Sequence, residues 1–249
     1  MYSIKLKEGK GRAWYVACVK CGSQTIQSVI DNNLLERRAI SSNDWHSTAS
    51  EHYTDSQYNK AVDFMFTTIR NPWQRHVSNF LYQKNKVEVK LSYEHNRDEY
   101  RRKYPGSQME DMPQYFEVLK QELDETYSSF EHYVNKVMLV NTPELYNGNI
   151  DLFVTKYDSG YEHNYGSTRH LISMSNFIAS RGKMYCLKIE DHAQILEFFN
   201  SNFGTALSII PRVNAAGHGD NYEEFYTPEL VDKIYNIEAP IIQIGNYKY

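Results

Sequence analysis

Two apolar runs, each followed directly by a helical pattern, constrain the fold of this chain more than any other feature. Residues 13–18 and 63–69 are rich in aromatic and β-branched side chains, as buried strands are. After Gly22, apolar residues recur at helical spacing, which predicts a helix that ends near Arg37. Pro72 suits the first turn of a second helix, because its missing N–H loses no bond there.

The later part of the chain repeats this alternation. Thr227 and Pro228 mark the start of the last helix, and Pro240 is expected to end it. The alternation predicts an α/β fold with three layers around a mostly parallel, doubly wound sheet. Ligands of such folds bind at the carboxyl ends of the strands, where the two strand-to-helix turns lie. The remaining predicted elements are strands at 151–157 and 184–189 and a helix at 192–202 that stops near Gly204.

The length and composition of the chain predict its broad class. A length of 249 residues suits a single domain, 1–249, in which the polar stretch 84–150 is a helical or irregular insertion with a helix near 112–124. The net charge of −4 argues against general nucleic-acid binding. No apolar run approaches the ~20 residues of a membrane span. The start does not resemble a secretory signal, and three cysteines argue against a disulfide framework, so we expect a cytoplasmic protein.

The first turn, 19–25, has the composition of an anion-binding loop. N–H groups and the helix dipole at a helix start attract phosphate or sulfate. Gly22 permits a tight turn, Ser23 and Thr25 offer hydroxyl donors, and Lys20 offers a positive charge. The loop is too short for the G-x-x-x-x-G-K-[ST] pattern of nucleotide triphosphatases. A serine beside a glycine at a helix start also occurs as a simple cap.

Cys18 and Cys21 have the C-x-x-C spacing of a redox pair or of half a zinc site. Tetrahedral zinc needs two further ligands, and no second spaced pair is evident. We therefore expect the two cysteines to be incidental, one in the strand and one in the loop.

In the second turn, Arg70 follows directly after the strand predicted at 63–69. Ser78 lies about two turns along the helix that comes next. A guanidinium fork and a hydroxyl suit a terminal phosphate. Taken alone, Arg70 equally fits a structural ion pair, and Ser78 equally fits an ordinary helix surface.

Together the two turns resemble sulfotransferases that use 3′-phosphoadenosine 5′-phosphosulfate (PAPS). V-K-C-G-S-Q-T at 19–25 is similar to the family's P-K-[CTV]-G-[ST]-[ST]-[ST], and 64–78 is similar to its [FY]-x-x-[FV]-x-R-[ND]-P-[WYF]-x-R-x-x-S. Weaker similarity to the bacterial, carbohydrate-sulfotransferase-like branch covers 46–53, 187–191 and 221–235.

The resemblance implies a role for each matching residue. Arg70 and Ser78 would bind the 3′-phosphate of PAPS, Lys20 would stabilise the leaving group, and His46 would be the general base, with no metal needed. Glu190 is a second candidate base. The loop residues that would bind the 5′-phosphosulfate are Lys20, Cys21, Gly22, Ser23, Gln24 and Thr25.

Arg75 would serve in structural pairing rather than ligand contact. Two substitutions depart from the family pattern, since Val19 replaces a proline and Gln24 replaces a hydroxyl residue. A third departure is 214–220, where only Asn214 matches and His218 stands in for a basic residue near the 3′-phosphate.

The predicted activity is in-line transfer of a sulfuryl group to a hydroxyl or amine of a carbohydrate or small molecule. Two alternatives remain at this point. A small-molecule kinase on a related fold would need a longer Gly-rich loop and a carboxylate side chain that binds Mg²⁺. A non-catalytic module that binds a nucleotide or a carbohydrate would keep the fold without the reaction.

Overall fold

The structure is a computed structural model in which the chain forms two compact units. The first comprises Met1–Arg75, Ser173–Asn221 and Glu238–Tyr249, and the second comprises His76–Ile172 and Tyr222–Ile237. The residues that the structure describes are 2–7, 11–33, 37–39, 62–103, 115–141, 168–178, 183–211 and 221–249.

The first unit is built on an open sheet with strand order β3-β1-β2-β4-β5. Strands β2, β4 and β5 run parallel, whereas β1 is antiparallel to both β2 and β3. The sheet is therefore mixed, but four of its five described strands run in the same direction and only β1 is reversed. The predicted α/β class is confirmed, whereas the three-layer, doubly wound arrangement stays a prediction. The connection from β1 to β2 is too short for a crossover, so the two strands pair as a hairpin. The strands are β1 (Tyr2–Lys5), β2 (Arg12–Val16), β3 (Arg37–Ala39), β4 (Phe64–Ile69) and β5 (Met184–Lys188).

Helices make up most of the other described elements. Short 3₁₀ turns cover Met174–Phe177 and Tyr222–Phe225, and a π-helical turn covers Leu123–Tyr127. The α-helices are α1 (Ser23–Asn33), α2 (Pro72–Leu91), α3 (Arg97–Lys103), α4 (Tyr115–Glu122), α5 (Phe130–Val140), α6 (Thr168–Leu171), α7 (His192–Phe203) and α8 (Pro228–Gly245).

Most local predictions are confirmed. Strands β2, β4 and β5 match their predicted ranges to within a few residues, and α2 begins at Pro72. Helix α7 ends at Phe203, directly before Gly204, whose φ of 69° is left-handed. Thr227 caps α8, because its Oγ1 accepts a hydrogen bond from the Leu230 N–H at 3.4 Å. The predicted helix near 112–124 is present as α4. The strand predicted at 151–157 lies outside the described residues.

Two helix ends were predicted wrongly. Helix α1 ends at Asn33, and Arg37 lies instead in β3, opposite Ile4 of β1. Pro240 does not end α8, which continues to Gly245. A proline removes one bond from the helical ladder. Here Ile241 and Ile242 are buried immediately after it, so packing outweighs the lost bond.

The core of the first unit surrounds β4, whose six residues are all buried. Phe66 contacts Tyr15 of β2 and Phe199 of α7, with ring centroids 5.1 and 5.7 Å apart. A strand that is buried on both faces has few polar residues at any position, instead of polar residues at alternate positions. This pattern made β4 recognisable in the sequence.

The second unit has a separate, aromatic core. Phe80 of α2 packs on Phe130 of α5 and on Phe225, with centroids 5.5 and 6.3 Å apart. The described residues of the stretch 84–150 belong to this unit. None of the helices in the described ranges has the length and apolar character that crossing a membrane requires.

Candidate anion-binding site

Three parallel strands of the first unit end side by side. Val16 of β2 pairs with Thr67 of β4, and Ile69 of β4 pairs with Lys188 of β5. The N–H of Ile189 donates to the carbonyl of Ile69 at 2.9 Å. The residues that follow these strands therefore meet at one edge of the sheet, where α/β folds place their ligands.

The loop after β2 is held in an unusual backbone conformation. Lys20 has φ 60° and Gly22 has φ 75°, both in the left-handed region. A β-carbon on Gly22 would lie 2.4 Å from Cδ1 of Ile189, so only glycine fits. For Lys20 the conformation costs on the order of 1–3 kcal/mol, the kind of strain that collects at functional sites.

Helix α1 begins directly at this loop, because the carbonyl of Gly22 accepts from the N–H of Ile26 at 3.0 Å. The N–H groups of the first turn have no acceptor within the helix, so they present a partial positive charge. Ser23 is half-buried, Gln24 is exposed and Thr25 is buried. The first turn contains no acidic residue that would oppose a bound anion.

Lys20 and Arg70 place two positive charges near each other at this edge. Burial, and then the charge of Arg70, lower the pKa of Lys20 to about 8. Arg70 is half-buried, and within the described part of the chain its guanidinium forms no ion pair. The ion pair that would have explained Arg70 structurally is thus not found among those residues. Two cations close enough for the charge of one to lower the pKa of the other favour a bound anion between them.

Arg75 has the structural role that the sequence predicted. Its Nη1 donates to Oε1 of Glu238 at 2.9 Å, with both side chains fully buried. Its Nε donates to the carbonyl of Val19 at 3.1 Å. Glu238 also accepts from Ser173 Oγ at 2.9 Å and from the Met174 N–H at 3.0 Å. Arg75 therefore braces the first loop from the start of α2.

Glu190 is occupied by two structural hydrogen bonds. Its Oε1 accepts from the N–H of Asn71 at 2.8 Å, and its Oε2 accepts from the hydroxyl of Tyr247 at 3.0 Å. Burial, and then the charge and hydrogen bond of Glu190, raise the pKa of Tyr247 far above its usual value. These bonds link β5, α2 and the segment after α8, so they fit a positioning role for Glu190 better than that of a base. Sequence reasoning missed Tyr247, for which no local pattern gave a signal.

The paired cysteines face the interior. Sγ of Cys18 lies 3.4 Å from Sγ of Cys21, which lies 3.3 Å from Sδ of Met174, and both thiols are free and buried. Burial, and then the hydrogen bond to Cys21, raise the pKa of Cys18 well above its usual value. A thiol that resists ionisation is a poor nucleophile and a poor metal ligand. Cys21 is 0% exposed and its N–H donates to the carbonyl of Cys18 at 3.4 Å, so its predicted contact with a ligand stays a prediction. Burial also raises the pKa of the half-buried Cys186, to about 11.

The structure does not test the roles predicted for the remaining site residues. Ser78 is half-buried in α2, within the part of the helix that belongs to the second unit. His46 lies outside the described residues, as do Asn214 and His218. Their predicted roles stay predictions.

A scan against protein-family models found no match, and searches of curated proteins and of solved structures found no significant one.

Proposed function

We propose that this chain is a sulfotransferase that takes a sulfuryl group from PAPS and transfers it to a hydroxyl or amine of an acceptor. On this proposal the loop after β2 acts as a P-loop-like cradle in a three-layer α/β domain. The observation that carries the proposal is that Lys20, in the loop before α1, lies near enough to Arg70 for the charge of Arg70 to lower its pKa. Each cation comes from one of the two turns that resemble the family, and the described residues offer Arg70 no carboxylate partner.

The residues at this edge fit an anionic donor. Lys20 supplies an ammonium group, and the first turn of α1 supplies backbone N–H groups. The guanidinium of Arg70 can donate two parallel hydrogen bonds to a phosphate. Ser23 and Thr25 add hydroxyl groups to the same turn. A doubly charged anion would be stabilised by the N–H groups at the helix start and by the two cations. No acidic residue in the first turn of α1 would repel it.

Bound PAPS would supply the sulfuryl group, which would pass in line to the acceptor oxygen or nitrogen while the bond from sulfur to the phosphate oxygen breaks and the bisphosphate leaves. The ammonium of Lys20 would stabilise the negative charge that develops on the leaving oxygen. His46 would take the proton from the acceptor hydroxyl. Arg70 would anchor the 3′-phosphate, and Ser78 keeps its role there as a prediction from the sequence. Glu190 would hold the edge in place through Asn71 and Tyr247.

The test is a calorimetric titration with adenosine 3′,5′-bisphosphate and with adenosine 5′-monophosphate, which lacks the 3′-phosphate. We expect the bisphosphate to bind at least about tenfold more tightly, since one good phosphate contact is worth more than 1.4 kcal/mol. Arg70→Met should remove that preference. Arg12→Met is the matched control, because Arg12 is a half-buried arginine at the opposite end of β2.

Transfer of labelled sulfate from PAPS to a panel of glycans and small alcohols completes the test. A sulfotransferase transfers label, whereas a non-catalytic module binds the bisphosphate and transfers none. A small-molecule kinase would bind both adenosine nucleotides equally. Equal affinity for the two nucleotides would overturn the proposal.

A further inference from the structure

The carboxylate of Glu190 lies against the turn that carries Arg70. Its Oε1 accepts from the N–H of Asn71 at 2.8 Å, and that N–H belongs to the peptide group that joins Arg70 to Asn71. Glu190 is exposed and Arg70 is half-buried. A guanidinium binds a carboxylate strongly when the two share parallel hydrogen bonds. The carboxylate of Glu190 is therefore an internal competitor for any anion that Arg70 would bind.

Two hydrogen bonds, neither of them from Arg70, fix the orientation of this carboxylate. Oε1 is bonded to Asn71, and Oε2 accepts from the hydroxyl of Tyr247 at 3.0 Å. Burial and the charge of Glu190 raise the pKa of Tyr247, and the charge of Arg70 opposes this shift. The phenol therefore lies near the guanidinium as well as against the carboxylate.

Tyr247 is held in place by the turn that ends α8. Its N–H donates to the carbonyl of Ile242 at 3.0 Å, and Asn246 before it has a left-handed φ of 48°. This is the usual form of a helix end that closes on a left-handed residue. A β-carbon on Gly245 would overlap Cε2 of the Tyr247 ring, so the ring packs closely over the helix end. The backbone thus positions the phenol independently of its hydroxyl.

Three further contacts attach the segment 246–249 to the same edge of the sheet. Nζ of Lys188 lies 4.8 Å from the centroid of the Tyr247 ring, within the range of a cation–π contact. Nδ2 of Asn71 donates to the carbonyl of Lys248 at 3.5 Å. The rings of Trp73 and Tyr249 meet edge to face, with centroids 5.4 Å apart. Removal of the Tyr247 hydroxyl alone should therefore leave the segment in place.

We propose that Tyr247 is a positioning residue of the anion-binding site, which holds the carboxylate of Glu190 away from Arg70 and so leaves the guanidinium available to an anion. Without the hydroxyl, Oε2 loses its donor, and the carboxylate can turn about its bond to Asn71 and pair with Arg70. An anion would then have to displace that pair before it bound. This inference rests on the proposed function only in that the anion would be the 3′-phosphate of PAPS.

The test is a calorimetric titration of Tyr247→Phe with inorganic pyrophosphate and with adenosine 3′,5′-bisphosphate. The protein is kept at about pH 7, where Lys20 keeps its charge, and at an ionic strength of about 0.01 M, where exposed charges are little screened. We expect both Kd values to rise by about two- to fivefold, the strength of a partly exposed ion pair. Unchanged Kd values for both anions overturn the inference.

Glu190→Gln separates this role from a purely structural one. The amide keeps an oxygen that accepts from Asn71 and a nitrogen that can donate to the Tyr247 hydroxyl, but it carries no charge that would compete for Arg70. The double variant Tyr247→Phe/Glu190→Gln should therefore bind both anions at least as tightly as the unsubstituted protein. A structural role predicts the reverse, because two bonding partners are lost. Affinity no better than that of Tyr247→Phe overturns the inference.

Glu190→Gln alone gives the test if Tyr247→Phe does not fold. It should bind pyrophosphate as tightly as the unsubstituted protein or more tightly, and weaker binding overturns the inference.

The effect of Tyr247 should also depend on Arg70. Tyr247→Phe should weaken pyrophosphate binding no further once Arg70→Met is present, since residues that act through one another are not additive. An equal loss in both backgrounds overturns the inference. Tyr185→Phe is the matched control, because Tyr185 is a half-buried tyrosine of β5 whose hydroxyl has no hydrogen bond among the described residues. It should change neither Kd.

The comparison of the bisphosphate with adenosine 5′-monophosphate is the separate readout for the proposed function. Equal affinity for the two nucleotides, with pyrophosphate binding that still depends on Tyr247, would reject the sulfotransferase and keep the inference. Sulfate transfer and a preference for the bisphosphate, both unchanged in Tyr247→Phe, would do the opposite. Absence of binding by pyrophosphate and by the bisphosphate would overturn both.

Discussion

Arg75 and Glu238 form a fully buried ion pair, with Nη1 and Oε1 2.9 Å apart. Arg75 belongs to the first turn of α2, and Glu238 to the second half of α8. The same guanidinium donates to the carbonyl of Val19, 56 positions earlier in the chain. The pair therefore links the start of one helix and the interior of another to the loop that carries Lys20.

Breaking this pair should destabilise the protein strongly. Arg75→Met leaves the Glu238 carboxylate buried without its cation, at a cost of about 3–5 kcal/mol in the free energy of unfolding. The double variant Arg75→Met/Glu238→Met also removes the unpaired carboxylate, so its free energy of unfolding should fall by less. Urea denaturation measures both. The surface pair Lys233–Glu229 is the control, and Lys233→Met should cost clearly less than Arg75→Met, because Glu229 remains solvated. A loss under 0.5 kcal/mol for Arg75→Met, on the order of surface substitutions, would contradict the assignment.

Gly22→Ala should distort the loop as well as destabilise the protein. The new methyl group would lie 2.4 Å from Cδ1 and 2.6 Å from Cγ1 of Ile189, at a left-handed φ. We expect a loss of about 1–3 kcal/mol and a weaker affinity for adenosine 3′,5′-bisphosphate. Ile189→Ala removes both carbons, so the double variant should recover part of the affinity.

The control for the Gly22 prediction is Gly204→Ala. It introduces a β-carbon at a similar φ of 69° but meets only the flexible side chain of Lys7, at 3.2 Å. It should leave nucleotide affinity unchanged. If both alanine variants weakened binding equally, the close contact with Ile189 would not be the cause.

Nucleotide affinity should fall as the pH rises through about 8. Burial and the charge of Arg70 lower the pKa of Lys20 to that value, and an anion binds the protonated form more tightly. Below pH 7.5 the affinity should be constant, and above pH 8 it should fall by up to about tenfold per pH unit until the pKa of the complex is reached. Calorimetry between pH 7 and 9.5 measures this.

Lys20→Arg provides the control for the pH dependence, because a guanidinium keeps its charge over this range. Its affinity should be independent of pH between 7 and 9.5. An equally flat profile for the unsubstituted protein would mean that the charge of Lys20 does not contribute to binding.

His46→Ala should separate catalysis from binding. If His46 is the general base, turnover should fall by about 10²–10⁴-fold while the Kd for the bisphosphate is unchanged. His132→Ala, at an exposed position of α5, should leave both quantities unchanged. Unaltered turnover in His46→Ala would remove His46 from the mechanism.

Where the sequence pattern was local, it predicted the structure well. The six buried residues of β4 are a run of apolar and threonine side chains, and Pro72 begins the next helix because a missing N–H loses no hydrogen bond at that position. The errors at Arg37 and Pro240 arose where tertiary contacts overrode local preference. Arg37 pairs with Ile4 in a strand, and the residues after Pro240 are held by burial.

In the candidate site, too, the local features could be predicted from the sequence and the tertiary contacts could not. The identities of Lys20, Gly22 and Arg70, and their positions after strands, could be read from the sequence because a motif is a local arrangement. Their mutual placement could not, since it depends on β2 and β4 being parallel neighbours. Nor could the sequence show that the Gln83 amide is buried with no hydrogen-bond partner among the described residues, because burial is a property of the packed unit.

The sequence by itself determined the strand-to-helix turns, their charges and the presence of a glycine at position 22, whereas the contact of Gly22 with Ile189 comes from the tertiary structure. The tertiary structure decided that Lys20 lies near Arg70, that Arg75 braces Val19, and that Tyr247 bonds Glu190. Each of these relationships joins residues about fifty or more positions apart. Such contacts follow from which strands pair and which helices pack, and the local periodicity of side chains does not encode either choice.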